Sequence, residues 1–348
     1  MGVFVWMVIY PTLIVLWARH EFYWWNALLW PPILYAVIAI HELGHVFAGK
    51  LIGMRTASIT VGGFGLHRSG ERWRVSFDFR SLGPQGFAMC VPDKEPLDRR
   101  RLAWFVAGGP IASLLLALIT GAAIRIFGDG AHDWIAATFW INFVLMSVSL
   151  VGTDGVHVRD ATRFHMLLRK PEESQAYIAL ILLFDEVVRG LTPRQWSTGV
   201  IEGLMKTPAQ APDYLTSRLF AYYRYRDLGD ETAALGYLEQ GLATAAVRRN
   251  RVRQACYLEA AFAHGIIRRK PGHAKVWLDR ALQLGRVPSN VAVDAAIAFG
   301  DERYDDAIRL FTEARSILDQ HGEDSGYARW AREVWSDYEQ RCRTAVHS

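Results

Sequence analysis

The first 152 residues contain four long apolar stretches separated by more polar segments. The stretches cover residues 2–18, 22–46, 102–127 and 134–152. A helix of about 20 apolar residues is long enough to cross a bilayer. Trp and Tyr are concentrated at the ends of the stretches, where amphipathic rings favour the membrane interface. The pattern predicts about four transmembrane helices; helices buried in a soluble core are the alternative, which spans of this length disfavour.

Basic residues are distributed unevenly around these spans. The segment 50–101 is rich in Arg and Lys, residues 128–133 contain neither, and residues 159–170 are again basic. Because basic loops stay inside, segment 50–101, the N-terminus and the C-terminal half are expected in the cytoplasm. The first span has no charged n-region and is therefore expected to be a retained helix rather than a signal peptide. The sequence thus predicts a multi-pass protein of the cell (inner) membrane.

After Lys170 the pattern changes to charged, alanine-rich helices. Three segments resemble one another as a helix, a short turn and a second helix, namely residues 222–243, 257–288 and 293–318. They resemble degenerate tetratricopeptide repeats, whose period is about 34 residues. An irregular helical domain is the alternative. Either domain is expected to bind a protein or peptide partner in the cytoplasm.

Two short strands are predicted between the second and third spans, ITVGGFGLHR and RWRVSFDF, joined by HRSGE. An unpaired strand edge there could bind an extended substrate by strand addition. The expected fold class is an all-α polytopic membrane domain with a small β-hairpin insertion, residues 1–170. A soluble α-helical repeat-like domain, residues 171–348, is expected to follow it.

The spacing of the cysteines argues against a thiolate metal site, and the net charge argues against a nucleic-acid-binding protein. The three cysteines, Cys90, Cys256 and Cys342, have neither zinc-finger nor redox spacing. The formal net charge is only +4, and basic residues cluster beside apolar spans. This distribution favours the lipid bilayer as a partner, and no nucleic-acid partner is expected.

The second span ends in AVIAIHELGHVFAGK, residues 36–50. His41 and His45 lie one helical turn apart, so that both imidazoles can bind one zinc ion. Glu42 can reach a water whose pKa the metal lowers, and can take its proton. Solvated residues at a helix end are the alternative, but ionisable groups in membrane spans are usually functional. The motif predicts a zinc site with Glu42 as the catalytic base and no other cofactor.

A catalytic zinc usually keeps three protein ligands and one open position. The fourth span ends in LVGTDGVHVRD, which offers Asp154 and His157 as the third ligand. The predicted topology brings the ends of the second and fourth spans to the same membrane depth. An Asp-Gly pair is also common in plain turns. His67, in the predicted hairpin, is expected to be a surface residue.

Five stretches resemble, in order, motifs of the site-2 proteases, intramembrane zinc metalloproteases of the M50 group. They are HELGH (41–45), SITVGGFG (58–65), SLGPQGFAMC (81–90), AGGPIAS (107–113) and TDG (153–155). The resemblance covers residues 22–165 and implies that Asp154 is the third zinc ligand. It also implies regulated intramembrane proteolysis, with a membrane-protein substrate such as an anti-sigma factor or a signal-peptide remnant.

The chain departs from these motifs at positions that handle substrate in the family. Met146 and Ser149 stand where the family often has Asn and Pro, and Ser113 stands where it usually has Asn. Asn142, one turn before Met146, could substitute. These departures keep a second hypothesis open, a catalytically silent membrane scaffold that binds a partner through its C-terminal helices. A soluble-type zinc protease on a membrane anchor is a weaker third hypothesis.

Overall fold

The computed structural model describes residues 26–69, 72–78, 83–93, 97–128, 133–150, 159–244, 251–285, 287, 290–320 and 325–347. The chain is mostly helical and has a small antiparallel sheet. It divides into two compact units, Met1–Ser174 and Gln175–Ser348.

The described helices of the first unit include α1 (Asn26–Leu51), α2 (Arg99–Phe127), α3 (Asp133–Leu150) and α4 (Asp160–Arg169). Two of them, α1 and α2, are long and apolar enough to cross a membrane. They correspond to the second and third predicted spans. The apolar part of α3, Trp134–Leu150, is shorter than such a span. The predicted span at 2–18 lies outside the described residues, so two of the four predicted spans are supported.

Helices α1 and α2 approach each other closely at a pair of glycines. A Cβ atom on Gly44 would lie 2.4 Å from the carbonyl oxygen of Gly108, and one on Gly108 would lie 2.4 Å from that of Gly44. Small residues are what permit helix backbones to pack so closely. The crossing therefore holds the HELGH segment of α1 against the AGGPIAS segment of α2.

The segment between α1 and α2 is a four-stranded antiparallel sheet in the order β3-β2-β1-β4. The strands are β1 (Met54–Val61), β2 (Phe64–Ser69), β3 (Arg72–Phe77) and β4 (Gly86–Pro92). The predicted hairpin is present as β2 and β3, with Phe64 opposite Phe77.

Two expectations for this segment were wrong. The stretch ITVGGFGLHR is not one strand, because a turn at Gly62, with φ +58°, divides it between β1 and β2. Part of SLGPQGFAMC, which resembles a membrane-edge loop, is strand β4, paired with β1 from Val61 opposite Gly86. The insertion is thus a sheet with β3 and β4 at its edges, rather than a hairpin alone.

The rest of the chain is helical in the described residues. The helices are α5 (Pro171–Val188), α6 (Thr198–Met205), α7 (Tyr214–Asp227), α8 (Glu231–Ala243), α9 (Arg251–Ile266), α10 (Pro271–Gln283), α11 (Val291–Gly300), α12 (Tyr304–Gln320) and α13 (Gly326–Val346). Ala234, Ala274 and Ala307 are fully buried, so close helix packing recurs along the unit. The tetratricopeptide assignment itself is not confirmed.

Candidate metal centre

Two histidines of α1 and one aspartate of α4 come together beside α2. The Asp160 carboxylate has Oδ2 3.1 Å from Nε2 of His41 and Oδ1 3.6 Å from Nε2 of His45. One ligand atom from each residue lies within 4.8 Å of the other two. The two imidazole rings meet edge to face, with centroids 5.0 Å apart. We refer to these three residues as the His-His-Asp group.

The chemistry of the group fits a zinc ion. Two imidazole nitrogens and a carboxylate oxygen are ligands that zinc takes in proteins, and three such ligands leave a fourth position open. Burial by itself would raise the pKa of Asp160, but the contacts of its carboxylate with the His41 and His45 imidazoles outweigh it and lower the pKa to about 2. The carboxyl group is therefore ionised at neutral pH, as a metal ligand has to be.

The ring nitrogens that face away from Asp160 also have partners. Nδ1 of His41 lies 2.9 Å from Oγ of Ser113, and Nδ1 of His45 lies 2.9 Å from the carbonyl oxygen of Phe105. When each Nδ1–H donates to that oxygen, the Nε2 lone pair is free for a metal. Both partners belong to α2, which thus orients both histidines.

Ser113 is itself held by α3. The side-chain nitrogen of Asn142 donates to the carbonyl oxygen of Ser113 over 2.6 Å, and both residues are fully buried. Asn142 thus ties α3 to the part of α2 that contacts His41, and its substitution for the family's substrate-binding Asn stays a prediction.

Gly109 of α2 forms one wall of the site. A Cβ atom on this residue would lie 2.3 Å from Nε2 of His45 and 2.6 Å from Nε2 of His41. Real Cβ atoms do not approach other atoms so closely. The backbone of α2 can therefore pass over the ligand atoms only because this position has no side chain.

Glu42 lies on the same helix but faces the sheet. Its side chain is 7% exposed, and a Cβ atom on Gly86 would lie 2.3 Å from its Oε1 atom. Gly86 is the first residue of the edge strand β4. The carboxylate thus lies where the ligand-bearing helix meets a strand edge.

His41, Glu42 and His45 lie together in the structure, whereas Asp154 and His157 lie outside the described residues. The sequence analysis missed Asp160, although this residue ends the same stretch, LVGTDGVHVRD, from which Asp154 was chosen. His67 lies in the sheet, where its ring nitrogens are 2.7 Å from Oγ of Ser58 and 2.9 Å from Oγ of Ser76.

The protein-family model described as peptidase family M50 matches residues 32–315 of the chain. The match covers most of the chain and includes the His-His-Asp group and Glu42. Searches of curated proteins and of solved structures each returned no match. The family match therefore spans the residues that come together at the candidate metal centre.

Proposed function

The chain belongs to peptidase family M50, and on that premise we propose that it is a zinc metalloendopeptidase. The proposed reaction is hydrolysis of a peptide bond of a membrane-protein substrate, within or at the edge of the bilayer. The observation that carries the proposal is the His-His-Asp group, with the Glu42 carboxylate on the same helix. The resemblance to the M50 group predicted from the motifs is confirmed by the family match.

His41, His45 and Asp160 are the residues that would hold the ion. Zinc, when bound, supplies Lewis acidity to the site. Asp154 is the carboxylate that the resemblance to site-2 proteases implies, whereas Asp160 is the one that the geometry supports. We propose Asp160 as the third ligand, and the zinc content of Asp160→Ala and Asp154→Ala separates the two.

Glu42 is proposed as the general base and acid. It takes a proton from the attacking water as the oxygen forms a bond with the substrate carbonyl carbon. It then gives that proton to the nitrogen as the C–N bond breaks, so that the products are a carboxylic acid and an amine. A base of this kind must lie within hydrogen-bond reach of the water, directly beside the ligands. Its place next to His41 on α1 supports this role.

Strand β4 is proposed as the place where substrate binds. A membrane helix has all its backbone groups hydrogen-bonded, so that it must unwind before its peptide bonds can be attacked. An edge strand can hold the unwound segment by strand addition. Strand β4 is an edge strand of the described sheet, and its first residue, Gly86, lies against Glu42. This arrangement supports delivery of an extended segment to the base.

The setting of the site is proposed to be the cell (inner) membrane, in which a multi-pass chain has its N-terminus and C-terminal domain in the cytoplasm. The proposal is supported by the two long apolar helices, α1 and α2, which carry most of the site, and by the basic segment 50–101. The second unit is proposed to bind a protein or peptide partner.

Replacement of Glu42 by Gln tests the proposal against the scaffold hypothesis. Cells that produce the wild-type chain, Glu42→Gln or the exposed control Glu172→Gln are compared by quantitative proteomics of their membranes. We expect an uncut membrane protein to accumulate with Glu42→Gln alone, while the purified variant still binds zinc. A membrane proteome that is identical for all three chains would overturn the peptidase proposal and leave the scaffold.

A further inference from the structure

The second unit contains a cavity of about 300 Å³ that the proposed peptidase reaction does not use. Its walls come from α7, α9, α11, α12 and α13 and are mostly apolar. Among the lining residues are Phe262, Ala314, Trp330 and Trp335. Apolar cavities of this size with a few polar groups are typical of small-molecule sites.

A partly exposed carboxylate, Glu259, whose side chain is 14% exposed, lies in the wall of this cavity. It accepts hydrogen bonds from the hydroxyl groups of Tyr222, Tyr223 and Tyr327, over 3.1, 3.1 and 3.3 Å. It also accepts one from Nη1 of Arg226, over 3.3 Å. Burial raises the pKa of each tyrosine, which keeps the hydroxyl groups protonated as donors. A carboxylate has about four acceptor positions, so that this set fills Glu259.

Two N–H groups of the same wall are left without an acceptor. Nη2 of Arg226 and Nε1 of Trp330 are buried and have no hydrogen-bond partner among the described residues. The Arg226 guanidinium carbon lies 5.2 Å from the centre of the Trp330 ring, so that the two donors belong to one cluster. A buried N–H without an acceptor costs free energy, which a ligand oxygen would recover.

The charges around these two N–H groups restrict which chemical group of a ligand can supply the oxygen. Arg226 and Glu259 form an ion pair, and their formal charges cancel. A ligand carboxylate would be repelled by Glu259, and an ammonium group would add donors to a wall that already has an excess of them. An uncharged carbonyl oxygen satisfies the donors without adding charge.

The cavity volume restricts the size of the ligand. At the ~30 Å³ that one water occupies in the liquid, 300 Å³ holds about ten non-hydrogen atoms.

Both N–H groups are shielded by their neighbours, so that a small rotation of the indole or guanidinium accompanies binding.

We propose that this cavity binds an uncharged, mainly apolar small molecule that carries a carbonyl group. The carbonyl oxygen accepts a hydrogen bond from Nε1 of Trp330, beside Arg226, and the apolar body packs against Phe262 and Trp335. Nothing in this proposal depends on peptidase activity, so that it can fail or succeed independently of the metal site.

The test uses the full-length chain in lipid nanodiscs and three water-soluble probes with the same phenylpropyl body. The probes are 3-phenylpropanamide, 3-phenylpropanoate and 3-phenylpropylamine, and their dissociation constants are measured by ligand-observed NMR. We expect the amide to bind, and the acid and the amine to bind at least about tenfold more weakly because they add charge to the cluster. Tighter binding of the acid would overturn the proposed ligand class.

Three variants place the binding in this cavity. Trp330→Phe keeps an aromatic ring, although a smaller one, but removes the N–H donor, and should weaken amide binding by about tenfold. Ala314→Leu fills the cavity without removing a donor, and should abolish binding. Trp277→Phe, outside the lining of this cavity, should bind like the wild type.

Unchanged binding in Ala314→Leu would overturn the proposal by placing the ligand elsewhere. Failure of all three probes to bind the wild type would also overturn it, because the cavity would then hold only water. Thermal unfolding of each variant shows whether it is folded. If Trp330→Phe does not fold, the comparison of Ala314→Leu with Trp277→Phe decides the question.

Discussion

Gly109 lies so close to His45 that a Cβ atom built on it would come within 2.3 Å of Nε2. The two residues belong to different helices, and each lies in a different motif of the sequence. The contact shows that the backbone of α2, and not only the side chains of α1, shapes the space in which a metal ion would bind.

Replacement of Gly109 by Ala should therefore damage the metal site. The added methyl group would displace one or both imidazoles, and we expect zinc affinity to fall by at least about tenfold, the smallest loss typical of changes around metal ligands. The measurement is zinc stoichiometry and affinity of the full-length chain in nanodiscs. Gly121→Ala is the control on the same helix, because the nearest neighbour there is the Phe139 ring edge at 3.3 Å. Equal zinc binding by both variants would contradict the role assigned to Gly109.

The identity of the third ligand can be decided by two alanine variants. Asp160→Ala should lose zinc, because the carboxylate that meets Nε2 of both histidines is then missing. Asp154→Ala should keep it. The reverse result would show that the ligand implied by the family resemblance is correct and that Asp160 is only a hydrogen-bond partner of the histidines. Zinc content of the purified chains is the readout.

Ser113 should support zinc binding without touching the ion. Ser113→Ala removes the hydrogen-bond partner of Nδ1 of His41, and losses of this kind typically cost about 10- to 100-fold in metal affinity. Ser147→Ala is the matched control, because among the described residues that hydroxyl group bonds only to the carbonyl oxygen of Phe143 in its own helix. Zinc titration against a competing chelator measures both variants. An affinity equal to that of the wild type in Ser113→Ala would remove Ser113 from the site.

The cysteines should be chemically inert in the folded chain. Burial raises the pKa of Cys90 to about 11, that of Cys256 to about 12 and that of Cys342 to about 11. The thiolate is the reactive form, so that its fraction at pH 8 falls by roughly two orders of magnitude or more relative to a free cysteine. We expect little alkylation by iodoacetamide at pH 8, with a rate that increases as the pH rises, and full alkylation after denaturation. Mass spectrometry counts the modified residues, and fast labelling of any cysteine in the folded chain would contradict the expectation.

The HELGH site could be predicted from sequence because its information is local. Residues four apart on a helix share a face whatever the rest of the fold does. The helix alone therefore brings His41 and His45 together, with Glu42 next to His41. The apolar run before them predicted α1. The long apolar run of α2 was predicted in the same way.

The sheet was predicted less well because its signal was ambiguous. Apolar residues alternate on both sides of the glycine pair, as Ile59 and Val61 before it and Phe64 and Leu66 after it, which favoured one strand across the turn. Gly62 and Gly63 shift that alternation by one residue, a turn signal that the one-strand interpretation passed over. Gly62 has a positive φ in the structure. Glycine adopts such a φ easily but does not have to, so that the residue type alone does not fix the turn. Strand β4 pairs with β1, although the β2–β3 hairpin lies between them in the sequence. This pairing makes the insertion a four-stranded sheet.

By itself, the sequence determined the apolar helices, the spacing of the two histidines and the place of Glu42 between them. Tertiary structure decided which distant groups meet them: Ser113, 72 positions from His41, and Asp160, 119 positions away. Local periodicity carries no information about such pairs, because they depend on how two helices cross. That crossing is set by Gly44 and Gly108, where the absence of side chains lets the backbones of α1 and α2 meet.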